Sequence, residues 1–181
     1  KTSVMAPFIL MLFLYFIVGL FTVINQQFQV PLKSALLPHD GNMTNALVTL
    51  LNFSWFLAYP FSEGFATRWG DRLGYRKTSV YSLLIFIAGL GFYEAAVLLH
   101  IYAPSYITIM GNPIFTGFFI FLSGSFVIGM AVTILQVVTG LYLDVNPVGK
   151  TTPLQRQMIG GTTNSIGMAI GPLVVSYIIF Y

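Results

Sequence analysis

From Val4 to Ile24 the chain carries no charged residue, and about 20 apolar residues are what an α-helix needs to cross a bilayer. Comparable apolar runs recur along the sequence, separated by short polar or proline-bearing stretches. Only 7% of residues are charged while 56% are hydrophobic, against roughly a quarter charged in soluble domains. Such a chain cannot cover a water-facing surface. The expectation is an all-α fold, a polytopic bundle of transmembrane helices forming one domain over residues 1–181. A β-barrel would read as short alternating segments instead. The first run is longer than a signal-peptide core and lacks a small-residue cleavage site, so it reads as a retained helix.

The stretch from Thr67 to Lys77 fixes the topology. Four of the eight basic residues, Arg68, Arg72, Arg76 and Lys77, fall within it. Lys and Arg collect in short loops on the cytoplasmic side, so residues 68–77 read as a cytoplasmic hairpin between two antiparallel helices. Five helices are then expected, at about 4–30, 44–67, 78–99, 113–142 and 153–181. Thr2 or Ser3 suits the first N-cap, with Pro7 in the first turn, and Pro31 stops that helix. Pro60 kinks the second helix. Thr78 or Ser79 caps the third, and Pro104 and Gly111 break the outer loop that follows it. Asn112-Pro113 starts the fourth, and Thr152-Pro153-Leu154-Gln155 forms a capping box for the fifth. Lys1, the hairpin residues, Lys150 and Arg156 fall inside, with Lys33 alone outside. The N-terminus is therefore expected in the cytoplasm and the end of the fifth span outside. An odd number of spans that stops without a tail suggests a piece of a longer protein.

Few residues suggest chemistry. There is no cysteine. His39 and His100 stand far apart in outer loops, with no partners at metal-ligand spacing. Gly149-Lys150-Thr151 matches the end of a phosphate-binding loop, but Asp144 stands where that motif needs glycine and no strand precedes it. The expectation is no enzyme, no cofactor and no metal. The small positive charge lies beside membrane ends, which argues for topology and against a nucleic-acid partner.

The informative residues are uncharged polar groups at membrane depth. Each is costly without a partner, so such groups face the bundle interior or a wet cavity. Asn25 and Gln29 share a helix face, as do Gln26 and Gln29. The second helix adds Asn52 and Ser54, the fourth Gln136 and Thr139, and the fifth Thr162, Thr163, Asn164 and Ser165. Amides and hydroxyls both donate and accept, which suits a polyhydroxylated ligand. The alternative is interhelical bonding, worth about 0.6 kcal/mol a pair. Gln26 and Gln136 favour lining, because long side chains are not needed for close helix packing. Trp55, one turn from Asn52, is either a sugar-stacking platform or core; Trp69 reads as an interfacial anchor. Ser125 with Gly129, and Gly167 with Gly171, are small residues at spacing four that let helices approach. Asp71 reads as a loop ion pair or a helix-end charge. Glu63 either pairs with Arg68 or the headgroups, or acts as a gate or coupling group.

The hairpin Gly70-Asp71-Arg72-Leu73-Gly74-Tyr75-Arg76-Lys77 resembles the loop between helices 2 and 3 of the major facilitator superfamily, although Thr67 replaces that motif's first glycine. Phe16 to Lys33 is similar to helix 1 of the fucose/galactose/glucose:proton symporters. Leu135-Gln136-Val137, Leu141-Tyr142, Asn164-Ser165-Ile166-Gly167 and Gly171-Pro172-Leu173 resemble their helices 4 and 5. The resemblance implies the amino-terminal half of a twelve-helix transporter, five of its six helices, with alternating access about a midplane site. It also implies a bacterial inner-membrane location and a hexose such as glucose or galactose as substrate. Gln26, Gln136, Asn25, Gln29, Asn164 and Trp55 would bind the sugar; Glu63, Asp71, Arg72 and Arg76 would serve coupling or gating. Partners would be the sugar, a co-transported proton or other cation, membrane lipid, and the carboxy-terminal half. Gln26 and Gln136 stand where the L-fucose permease branch has carboxylates, and a glutamine keeps the sugar hydrogen bonds but cannot carry a proton. A facilitative uniporter or a non-transporting sugar sensor of the same fold are the alternatives.

Overall fold

The computed structural model describes residues 4–27, 31, 37, 42–109 and 112–180. In chain order these form α1 (Met5–Gln27), α2 (Asn42–Leu73), α3 (Tyr75–Tyr102), β1 (Tyr106–Ile109), β2 (Asn112–Phe115), α4 (Thr116–Val145) and α5 (Pro153–Phe180). The expectations placed on Lys1, Thr2, Ser3, Gln29, Lys33, His39 and Gly111 lie outside the described residues.

Among the described residues four helices, α1, α3, α4 and α5, are long and apolar enough to cross a membrane. Large apolar side chains such as Ile9, Phe13, Ile87, Ile101 and Leu173 stand exposed along them, an exterior suited to lipid. α2 is longer still, at 32 residues, but Asn52, Ser54, Tyr59, Pro60 and Glu63 dilute its apolar content.

α4 is the centre of the bundle, packed along α2 and α3 and against α1 and α5. Its composition explains the role: buried residues recur all round it from Gly117 to Leu143, and a helix apolar on every side belongs inside a bundle or a membrane. α2 runs parallel to α4, since Ser54 meets Leu122, Trp55 and Ala58 meet Gly129, and Gly70 meets Val138 and Leu141. α3 runs antiparallel to α4, since Ser82 lies near Leu135 while Tyr93 stacks on Phe121. α5 is parallel to α1, with Asn164 opposite Gly19 and Gly171 opposite Val23. The helices therefore alternate up and down. The α2–α3 and α4–α5 junctions share one end, where the Tyr75 and Tyr142 rings meet edge to face at 5.6 Å. Every described Lys and Arg belongs to these two junctions or the turns beside them.

The junctions differ from their sequence reading in instructive ways. The charged stretch 68–77 is no loop. α2 continues to Leu73 and α3 starts at Tyr75, leaving Gly74 alone between them with φ 79°. Arg, Asp and Leu sustain a helix adequately, and the reversal needs only one residue able to adopt a positive φ, which glycine does without steric cost. Thr78 and Ser79 consequently do not cap. Their hydroxyls donate to the carbonyls of Gly74 (3.0 Å) and Tyr75 (2.9 Å), inside the first turns. At the other end, α3 runs on to Tyr102 and Asn112-Pro113 lies in β2, not at a helix cap. β1 and β2 are antiparallel, with Tyr106 opposite Phe115 and Ile109 opposite Asn112. The β-branched and aromatic residues of Tyr-Ile-Thr-Ile and Ile-Phe favour strands, and a two-stranded ribbon has edges that tolerate Pro113. The fifth helix starts as expected. Gln155 Oε1 accepts from the Thr152 N–H (2.9 Å), and Thr152 Oγ1 accepts from the Gln155 N–H (3.3 Å), the reciprocal bonds of a capping box.

Candidate functional site in the helical bundle

Hydroxyls and amides behave differently at depth. The hydroxyls of Thr22, Ser62, Thr133, Thr139, Thr162, Thr163 and Ser165 each donate to the carbonyl four residues back. These hydroxyls are thus satisfied within their own helices. Thr139, Thr162, Thr163 and Ser165 need no cavity to explain them.

The amides reach across helices. Asn164 Nδ2 donates to the Tyr15 carbonyl at 2.9 Å, and Gln157 Nε2 donates to the Gly140 carbonyl at 2.8 Å. Ser54 does the same through its hydroxyl, to the Leu122 carbonyl at 3.0 Å. Asn164 therefore fastens α5 to α1. Around it the two backbones are close: a Cβ at Gly19 would collide with the Asn164 carbonyl, and one at Gly167 with the Phe16 carbonyl.

A cleft of about 410 Å³ opens between α1 and α3, with Trp55 of α2 and Phe121 and Ile128 of α4 behind it. Its walls include Phe21, Ile24 and Asn25 of α1 and Phe86, Leu90, Tyr93 and Val97 of α3. The structure thus brings together two of the sequence candidates, Asn25 and Trp55. Polar groups here are few. The Tyr93 hydroxyl lies 2.8 Å from Ser125 Oγ and donates over a long 3.4 Å to Asn25 Oδ1. Trp55 is 2% exposed. Among the described residues its indole N–H has no hydrogen-bond acceptor, and Asn52 Oδ1 is likewise buried without a partner. The Tyr59 hydroxyl stands close to both Trp55 and Thr22. A hexose in this cleft would leave most of its hydroxyls unpaired, at roughly 1–3 kcal/mol each. The cleft is not built for sugar.

Gln26 and Gln136 lie elsewhere. Gln26 is exposed at the end of α1 and Gln136 half-buried on α4. Neither makes a hydrogen bond among the described residues. Tyr93 ties Asn25 to the level of Ser125, and Tyr15 stands level with Gly140. Gln136 is therefore level with the middle of α1, about ten residues and ~15 Å along the axis from Gln26. Among the gating candidates, Glu63, Asp71, Arg72 and Arg76 are all exposed. Neither Glu63 nor Asp71 forms an ion pair among the described residues, which leaves the headgroup or gating alternatives for Glu63 and the helix-end charge for Asp71.

One side chain that sequence reading counted only as an inner charge has a larger role. Arg156 is 2% exposed. Its Nε donates to the Leu143 carbonyl (2.5 Å), Nη2 to the Asp144 carbonyl (2.8 Å) and Nη1 to the Thr151 carbonyl (2.7 Å). The guanidinium so satisfies carbonyls that the end of α4 leaves open and sits at the negative end of its dipole. Its place one residue after the capping box was the available clue.

Comparison with protein-family models, with curated proteins and with solved structures finds no match to this chain.

Proposed function

We propose that this chain is a membrane transport unit, the amino-terminal half of an alternating-access carrier of the major facilitator type, and that its solute is a hexose such as glucose or galactose. The observation that carries the reading is the contrast among polar groups. Most hydroxyls serve their own helices, and Ser54, Asn164 and Gln157 serve neighbouring backbones, whereas Gln26 and Gln136 make no hydrogen bond among the described residues. An amide with no protein partner is free to hydrogen-bond a hydroxylated solute, and half-buried Gln136 holds one within a membrane-length helix. α2 is taken as the fifth span, because it lies parallel to α4 from Ser54 to Gly70. The end rich in Lys and Arg is assigned to the cytoplasm of a bacterial inner membrane.

In this reading Gln26 and Gln136 contact the solute at successive depths, ~15 Å apart along the bundle axis, and Asn25, which lines the apolar cleft between α1 and α3, takes no part. A second half of the protein would close the path. Coupling to a proton or other cation would come from that half or from Glu63, and a facilitative uniporter is favoured by uncharged glutamines at both solute positions. Proteoliposomes holding the protein together with its second half should take up labelled hexose. Gln136→Ala should abolish uptake while Trp69→Ala leaves it intact. Uptake indifferent to both Gln136→Ala and Gln26→Ala sinks the proposal, and hexose binding without flux turns it into the sensor reading. Uptake unaffected by a collapsed proton gradient, with no pH change on adding hexose, marks a uniporter.

A further inference from the structure

We propose that the cleft between α1 and α3 holds one acyl chain of a membrane phospholipid, lying along α3. The shape points to it first. The walls on α3 run from Phe86 to Val97, eleven residues or ~16 Å along the helix axis, so the cleft is long and roughly parallel to the helices. That is how an acyl chain lies in a bilayer, and a compact polar solute has no use for such a slot. Its size, about 410 Å³, falls within the range of small-molecule sites.

The lining is the second argument. Phe21, Ile24, Phe86, Leu90, Val97 and Phe121 offer no hydrogen bond. Among the described residues of the wall, the one hydroxyl, on Tyr93, is already engaged by Ser125 and Asn25, and the only other polar groups are the Asn25 amide and the N–H of buried Trp55. An occupant must therefore be apolar over nearly its whole length.

The route of entry is the third. Leu90 and Val97, on the α3 wall, are 44% and 48% exposed, whereas Trp55, Phe121 and Ile128 at the back are buried. The mouth is rimmed by apolar side chains that continue the lipid-facing exterior of α3 through Ile87 and Ile101. It opens sideways into the surrounding hydrocarbon. Deeper in, α1 and α3 touch through Phe21 and Phe86, whose rings are 4.6 Å apart, and this contact closes the lower end. The inference does not depend on the identity of the transported solute.

The two tryptophans make a test possible. In a Trp69→Phe background, Trp55 is the only indole, and it lies behind the cleft. The protein is reconstituted in vesicles of dioleoylphosphatidylcholine or of the same lipid brominated at its mid-chain double bonds. A chain in the cleft brings bromine against Trp55 and quenches its emission strongly. Filling the mouth with Leu90→Phe and Val97→Phe should weaken that quenching severalfold. Native mass spectrometry of the unmodified protein supplies an arm that needs no variant, with one phospholipid retained through detergent exchange. Three results overturn the proposal: Trp55 unquenched by the brominated lipid, equal quenching in the filled variant, or quenching by aqueous acrylamide in preference to the lipid. The last would show a cleft open to water. Loss of hexose uptake with lipid quenching intact would leave this inference standing and remove only the transport reading.

Discussion

α1 presents two unlike faces to its neighbours. Toward α5 it is sealed: Gly19, Gly167 and Gly171 bring the backbones together, and Asn164 bonds across to the Tyr15 carbonyl. Toward α3 it is held off by rings, Phe21 against Phe86, and leaves a cleft. Within a membrane, apolar surface gains nothing by leaving lipid for protein, so close packing and interhelical hydrogen bonds decide which helices adhere. Glycine supplies the first on the sealed side and an amide the second. On the open side bulky side chains prevent the first, and one long hydrogen bond provides little of the second. The α4–α5 end belongs with the sealed side, because Arg156 closes it.

The largest expected effect tests the sealed face directly. A Cβ at Gly167 would meet the Phe16 carbonyl and the Leu20 nitrogen, and backbone atoms cannot swing aside. Gly167→Leu must part the two helices and lose the Asn164 bond as well, costing about 4 kcal/mol. On α3, a Cβ added at Gly91 would meet nothing within 4 Å, so Gly91→Leu should stay within about 0.5 kcal/mol. Thermal melting of the detergent-solubilised protein reads both. Equal shifts would erase the distinction between the faces.

Arg156 comes next. Arg156→Met leaves the carbonyls of Leu143, Asp144 and Thr151 without their donor and should cost about 3 kcal/mol. Arg156→Lys should recover only part, because an ammonium cannot span three carbonyls as a planar guanidinium does. Chemical denaturation in mixed micelles measures the pair, and full rescue by Lys would show that charge alone matters there. Asn164→Ala, which removes a single neutral bond, should cost about 1 kcal/mol. If the proposed hexose transport holds, a larger loss of uptake than of stability would place Asn164 in the solute path.

How much of this could be read beforehand depends on how far apart the cooperating residues lie. The Thr152–Gln155 box involves four consecutive residues, and the sequence displays it whole. Small residues on α4 and α5 announced close approach, but not to which helix. Asn164 belonged to the right class, an amide needing a partner, yet the partner is a backbone carbonyl of α1 and backbone carbonyls carry no sequence signal. Charge density misled at Arg68–Lys77, because it marks which side of a membrane a segment occupies and says nothing of whether it is helical. Pro104 and Gly111 suggested an irregular loop, while the β-branched and aromatic residues beside them pair as two strands. The cleft itself was invisible. It exists because Phe21 meets Phe86 before the backbones can approach, a fact of packing between helices distant in sequence.

The smallest expected effect tests the open face. Tyr93→Phe removes the hydroxyl shared with Ser125 and Asn25 but keeps the ring stacked on Phe121, 3.8 Å away and within 5° of parallel. Ser125 is buried, yet its hydroxyl can turn to the carbonyl four residues back, as many hydroxyls in this bundle already do. Asn25 loses only a bond of 3.4 Å, near the limit of usefulness. The cost should be about 0.6 kcal/mol, the average for a polar pair in a membrane bundle, read as a small shift in melting temperature. A loss above about 2 kcal/mol would mean that Tyr93 cements α1 to α3 more firmly than any single neutral bond in such a bundle does. The cleft would then be a rigid void between fixed helices, unable to widen for an acyl chain.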